Sequence, residues 1–228
     1  MNRTSILSRT LQTLVLCCSF AAVVQAEVMD DVKHLQDRWA EINYQLEGKT
    51  QLSAFEQLVG EASALTVANP DAAAAWIWSG IIKSTYAGAK GGLGALSLAK
   101  ASKSDLERAL ALDPAALQGS AATSLGTLYY SVPGWPVGFG DHDKAKELLQ
   151  QALALNPDGI DSNYFYGNFL IAEKRYAEAR HVIIGNISLA SRLISLSKTA
   201  SLSVFNVFQY STALSQLSPF GDIGFPFK

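Results

Sequence analysis

The sequence predicts an all-α fold, an α-α solenoid of about three to four stacked helical hairpins. The first observation is a recurring segment that ends in proline, Leu-Glu-Arg-Ala-Leu-Ala-Leu-Asp-Pro at 106–114 and Leu-Gln-Gln-Ala-Leu-Ala-Leu-Asn-Pro at 149–157, with a looser version ending at Pro70. The second is an apolar segment after each proline, with a glycine near its middle. These glycines are Gly80, Gly126 and Gly167. Because three copies lie in register, stacked helix pairs account for the pattern.

The chain begins with a segment typical of a secretory signal peptide. Arg3 and Arg9 form a basic start, residues 11–24 are mostly apolar, and the segment ends in small residues at Ala26. The alternative is a membrane anchor, but the run is short for a bilayer span. We therefore expect cleavage after Ala26 and a periplasmic or secreted protein, with residues 1–26 as the leader.

Composition excludes several classes of function. Both cysteines, Cys17 and Cys18, lie inside the leader, so the mature chain would have no disulfide, no cysteine nucleophile and no zinc–cysteine site. Removal of two arginines and no acid lowers the net charge from −2 to about −4. No basic stripe is visible, which argues against nucleic acid. We also expect no membrane association after cleavage.

The first two helices are predicted from apolar spacing alone. A helix over 30–46 would place Val32, Leu35, Trp39 and Ile42 on one face. Residues 52–67 would form its partner, so we expect a degenerate first hairpin before the clearer repeats.

The later hairpins resemble the tetratricopeptide repeat (TPR), which alternates large and small residues on two helices and then ends in proline. The middle repeat matches at Ala122, Leu125, Gly126, Tyr129, Ala145, Leu149, Ala152 and Pro157. The preceding repeat matches at Trp76, Gly80, Leu106, Ala109 and Pro114, and departs at Ser79 and Lys83. The following repeat matches at Tyr166, Gly167, Leu170, Tyr176 and Ala179. The resemblance implies a repeat domain over 27–180 and a binding role rather than catalysis.

The repeats are longer than the family's. Proline-to-proline spacings are 44 and 43 residues, against about 34 in the family. The excess lies between the two helices of a hairpin, at 86–94 and 131–140. We expect two adjacent loops there, with Lys90, Trp135 and Phe139 as candidate binding residues. The alternatives are that Lys90 is a solvated turn residue and that the aromatic side chains fold back as a lid.

Partners of TPR proteins usually lie along the surface of the first helix of each hairpin. By position, this concave surface would present Ile77, Ile81, Thr123, Thr127, Tyr130, Asp161, Tyr164 and Asn168. The set lacks the Lys/Arg clamp for a C-terminal carboxylate. The tyrosines favour an amphipathic partner, and the alternative for Tyr130 and Tyr164 is packing between repeats.

No catalytic residues, metal site or cofactor are predicted. Asp141-His142-Asp143 is a possible metal motif, but one histidine between two acids is weak for zinc. Asp141 is better explained as a helix N-cap, with Asp143 favoured by the helix dipole. No spacing typical of a nucleophile and its base is found.

The tail, 181–228, does not fit the repeat. Serine alternates with apolar residues there, and charges are few. It could be an apolar helix docked on the last repeat, a membrane-surface segment, or the product of a shifted reading frame after about Arg180. We favour the last of these interpretations.

The sequence thus predicts a non-catalytic periplasmic scaffold that binds a protein or peptide through its concave face and two loops. The alternative is a small-ligand protein, because the chain is similar in outline to the TPR-like T-component of tripartite ATP-independent periplasmic (TRAP) transporters. A small amphipathic molecule would then be the partner.

Overall fold

The structure is a computed structural model that describes residues 26–184. Eight α-helices and no β-strand lie within this range. The helices are α1 (26–45), α2 (Gly48–Ala68), α3 (Ala73–Lys90), α4 (Gly92–Leu112), α5 (Ser120–Ser131), α6 (His142–Leu155), α7 (Ile160–Ala172) and α8 (176–184). The leader up to residue 25 and the tail beyond residue 184 lie outside the described residues, so both remain predictions.

The helices pair into four hairpins that stack in chain order. α3 packs on α4 and α5 on α6, while α2–α3, α4–α5 and α6–α7 contacts join neighbouring hairpins. The first helices of successive hairpins also meet, α3 on α5 and α5 on α7. This arrangement confirms the predicted α-α solenoid. The degenerate first hairpin is present too, with Leu35, Ile42, Phe55 and Leu58 in one buried cluster.

Three equivalent glycines show that the repeats share one register. A Cβ added at Gly80 would lie 2.6 Å from Leu106 Cγ, and one at Gly126 would lie 2.8 Å from Leu149 Cγ. A Cβ at Gly167 would lie 2.6 Å from Ile183 Cγ1. Such separations are too short for carbon atoms, so glycine is required where the two helices of each hairpin cross. The sequence alignment is therefore confirmed, and the register continues past Arg180 to Ile183.

The prediction of a loop at 86–94 is wrong. α3 continues to Lys90 and α4 begins at Gly92, so the extra residues lengthen both helices of this hairpin. Alanine and lysine favour helix, and the reversal needs only Gly91 and Gly92, which have φ of 63° and 61°.

The two departures from the repeat pattern, Ser79 and Lys83, contact one carboxylate. Ser79 Oγ donates to Asp105 Oδ2 at 2.7 Å, and Lys83 Nζ lies 2.5 Å from the same oxygen. The Lys83 and Asp105 side chains are only 13% and 9% exposed. These three residues form a polar triad between α3 and α4, in which the buried ammonium and carboxylate are paired with each other.

In the described part of the chain, no helix is both long and apolar enough to cross a membrane.

Candidate functional site

Tyr130 of α5 and Tyr164 of α7 lie together on the surface where these helices meet. The Tyr130 ring is half-buried, with its centroid 5.8 Å from that of Phe169. Tyr164 packs edge-on against Phe165 at 5.1 Å. Burial raises the pKa of Tyr130, and the nearby Tyr164 phenol raises it further. The site therefore presents two neutral phenols side by side.

Polar groups on α7 extend this surface. Tyr164 and Asn168, one turn apart, share a side-chain hydrogen bond. Asp161, a turn before Tyr164, is exposed to solvent, yet desolvation by the surrounding protein raises the pKa of its carboxyl. The arrangement offers a carboxylate, an amide and two phenols in one row.

The predicted contributions of Ile77 and Thr123 to this surface are wrong. Ile77 is fully buried in a cluster with Ala109 and Ala121, where α3, α4 and α5 meet. Thr123 is buried, and its hydroxyl donates to the Gly119 carbonyl at 3.3 Å. Because both side chains are buried, neither offers a surface to a ligand.

Ile81 and Thr127 are half-buried at the margin of the predicted concave surface. The Thr127 hydroxyl donates to the Thr123 carbonyl at 2.8 Å, one turn back along α5. A partner would therefore meet mainly the Thr127 methyl group. Both residues can contribute contact area, with little hydrogen-bonding specificity.

The loop of residues 132–141, between α5 and α6, separates the two aromatic residues predicted there. Phe139 folds back and packs edge-on against Tyr129, with ring centroids 5.7 Å apart. Trp135 points outward and is 90% exposed. The Trp135–Pro136 peptide bond is cis. The lid interpretation is thus right for Phe139 and wrong for Trp135.

Lys90 is the last residue of α3. It is exposed, and its ammonium lies 5.0 Å from the centroid of the Tyr86 ring and 3.3 Å from the Tyr86 hydroxyl. Residues 86–94 belong to the end of α3, the start of α4 and the tight turn between them. The predicted pair of adjacent loops carrying Lys90 and Trp135 is therefore not formed.

The sequence did not indicate that side chains on and just after α7 contact the first residue of α6. Phe169 is buried, contacts Tyr130 and stacks on Tyr166, and so forms the base of the tyrosine surface. His142 lies 6.4 Å from Phe169 and contacts Glu173. The apolar character of Phe169 signalled burial, but the pairing of side chains 31 positions apart could not be read from spacing.

The Asp141-His142-Asp143 motif has the structural role expected of it. The Asp141 carboxylate accepts from the backbone N–H groups of Asp143 at 3.1 Å and Lys144 at 3.0 Å, which confirms the N-cap of α6. Among residues 26–184, no group of three or more His, Cys, Asp or Glu side chains is placed to hold a metal ion.

Comparisons with known proteins agree with the repeat architecture. A model described as "Tetratricopeptide repeat" matches residues 137–184. The fold is similar to the crystal structure of a thermophilic TPR protein from Thermus thermophilus, with a TM-score of 0.54 and 15% identity over 82% of this chain and 99% of that chain. No curated protein matches the sequence. The chain therefore has the fold of a TPR solenoid, and its residues 137–184 carry the signature of the tetratricopeptide repeat itself.

Proposed function

We propose that this protein is a non-catalytic scaffold that binds a protein or peptide along the α5–α7 surface. The observation that carries the proposal is the row formed by Tyr130, Tyr164, Asn168 and Asp161. TPR solenoids generally serve as scaffolds for protein partners, and the shared fold supports the same class of role here.

The chemistry of the row suits an extended peptide. Tyr130 and Tyr164 offer flat apolar area with a polar edge, at a low cost in side-chain entropy. The Asn168 amide can donate to and accept from a peptide backbone. Asp161 is the only charged residue of α7, so it would favour a partner with a cationic group nearby.

The proposal includes the location and the alternative partner predicted from the sequence. A periplasmic or secreted protein would meet its partner outside the cytoplasm, where the cysteine-free mature chain has nothing to oxidise to a disulfide. The TRAP-like alternative places a small amphipathic molecule at Trp135 of the 132–141 loop, and the tyrosines of the α5–α7 surface offer it a second stacking surface.

A photo-crosslinking amino acid in place of Tyr164 would test the proposal in cells of the host. The matched control is the same amino acid at Gln151, an exposed residue on α6, the second helix of its hairpin. We expect a crosslinked partner of defined mass from position 164 and none from position 151. The crosslink should disappear when Tyr130 is also replaced by alanine.

Equal crosslinking from both positions would contradict the proposal, because contact would then be unrelated to the α5–α7 surface. An adduct of a few hundred daltons in native mass spectrometry, lost in Tyr130→Ala, would replace the protein partner by a small ligand at the same site. A large fall in melting temperature in Tyr130→Ala would assign that side chain to the core.

A further inference from the structure

The 132–141 loop ends in an apolar tip that the scaffold role does not use. Trp135 is 90% exposed and Val137 65% exposed. Pro133 and Pro136 beside them are exposed as well. Residues 131–140 contain no charged side chain. A tryptophan this open is unusual on a folded surface and indicates a contact site.

Packing and hydrogen bonds fix the base of the loop on the helices. Phe139 packs against Tyr129, whose ring also lies 5.4 Å from the Lys144 ammonium. The Asp141 N–H donates to the Tyr129 carbonyl at 3.0 Å. A Cβ at Gly140 would collide with the Val132 carbonyl, so the two ends of the loop touch. Trp135 is therefore presented on a fixed base and loses little freedom on binding.

Three N–H groups of the loop already donate to carbonyl groups within it. Val137 and Gly138 N–H groups both donate to the Gly134 carbonyl at 3.1 Å, and Gly140 donates to the Pro133 carbonyl at 3.0 Å. The prolines have no N–H to satisfy. These internal hydrogen bonds would persist if the tip left water, which lowers the cost of placing this backbone in an apolar medium.

The size of the tip favours a lipid surface over a second protein. A tryptophan offers at most about 250 Å², and Val137 with the prolines brings the tip to roughly 400 Å². Each side of a stable protein interface contributes about 800 Å². A membrane interface needs no complementary pocket, and each inserted side chain contributes there on its own. Tryptophan in particular prefers the headgroup level of a bilayer.

We propose that the 132–141 loop docks this edge of the solenoid on a lipid surface, with Trp135 and Val137 inserted to headgroup depth. Among the described residues no cationic patch adjoins the tip, because Asp141 and Asp143 closely precede Lys144 in the sequence and Lys103 is paired with Glu107 at 2.6 Å. Binding is therefore apolar, independent of lipid charge and insensitive to salt. This proposal differs from the sequence-based expectation of no membrane association.

The test uses the full chain with vesicles of zwitterionic phosphatidylcholine. Binding is measured by vesicle flotation, and insertion by the blue shift of tryptophan emission in wild type minus Trp135→Phe difference spectra. Trp39, Trp76 and Trp78 are half-buried and common to both proteins. We expect Trp135→Ser to weaken vesicle binding about tenfold or more. The matched control is Val67→Ser, a residue 81% exposed on α2, which should change nothing.

Three results would overturn the proposal. One is equal flotation of wild type and Trp135→Ser, which would assign any lipid binding to another part of the chain. Another is binding confined to anionic vesicles and lost in salt. The third is an unshifted emission of Trp135 with vesicles together with Trp135-dependent self-association in sedimentation velocity, which would make the occupant a second copy of the chain. A shift retained with phosphatidylcholine in high salt supports it.

Discussion

The buried triad of Ser79, Lys83 and Asp105 gives the sharpest test of how this fold is stabilised. Replacing Lys83 with methionine keeps the apolar stem but leaves the Asp105 carboxylate, 9% exposed, with only the Ser79 hydroxyl as a partner. Removing one partner of a buried ion pair costs about 3–5 kcal/mol. For a chain of this size, that corresponds to a fall in melting temperature of roughly 10 °C.

An exposed pair of nearly the same geometry supplies the control. Lys33 Nζ lies 2.6 Å from Asp37 Oδ2, but these side chains are 67% and 66% exposed. Lys33→Met should cost less than about 0.5 kcal/mol, because water screens the pair. Urea unfolding followed by far-UV circular dichroism measures both variants. The control shows how little an exposed ion pair contributes, so a much larger cost at Lys83 would reflect its burial.

The triple variant Ser79→Ala, Lys83→Met, Asp105→Leu completes the argument. If the cost of Lys83→Met arises from an orphaned charge, removing all the polar partners should restore most of the stability. A cost of Lys83→Met below about 1 kcal/mol would refute the reasoning, since the carboxylate would then be hydrated. A triple variant as unstable as the single variant would also refute it, because the loss would come from packing.

Three further predictions concern single side chains. Gly126→Ala should destabilise the chain by about 1–3 kcal/mol in urea unfolding, because the added Cβ would meet Leu149. Gly60→Ala is the control and should stabilise the chain by about 0.5–1 kcal/mol, because nothing lies within 4 Å of its added Cβ. A change of the same sign in both variants would contradict the packing argument. Because the pKa of Tyr130 is raised in the folded chain, its phenol ionises more readily in the unfolded chain, and the stability that the neutral phenol contributes is lost as the pH rises above the ordinary pKa of 10.0. Tyr130→Phe should therefore remove part of the loss of stability at alkaline pH, measured by unfolding curves at several pH values. Identical pH dependence in the variant and the wild type would contradict this prediction. Asp141→Ala should cost about 1 kcal/mol in thermal unfolding by removing the N-cap of α6, and Asp141→Asn should recover most of it; failure of asparagine to rescue would indicate another role.

Local patterns predicted much of the hairpin architecture. Glycine at 80, 126 and 167 and small residues on the second helices fixed which faces meet, because only one register lets the backbones approach so closely. The N-cap at Asp141 was also predictable, since it depends on residues within one turn. The tight turn at Gly91 and Gly92 was not predictable, because a two-glycine reversal and a longer loop have similar composition.

In the candidate site, too, some features depend on local sequence and others depend on tertiary contacts. The sequence by itself determined that the first-helix surfaces of α5 and α7 are almost free of charge and carry tyrosines, since this depends only on helical spacing. Tertiary structure decided that Thr123 is buried, that Tyr130 rests on Phe169, and that Trp135 points outward while Phe139 folds back. Burial at these positions depends on contacts between residues distant in sequence. Periodicity selects the face of a helix that a residue occupies, but only the packed neighbours decide whether that face is open.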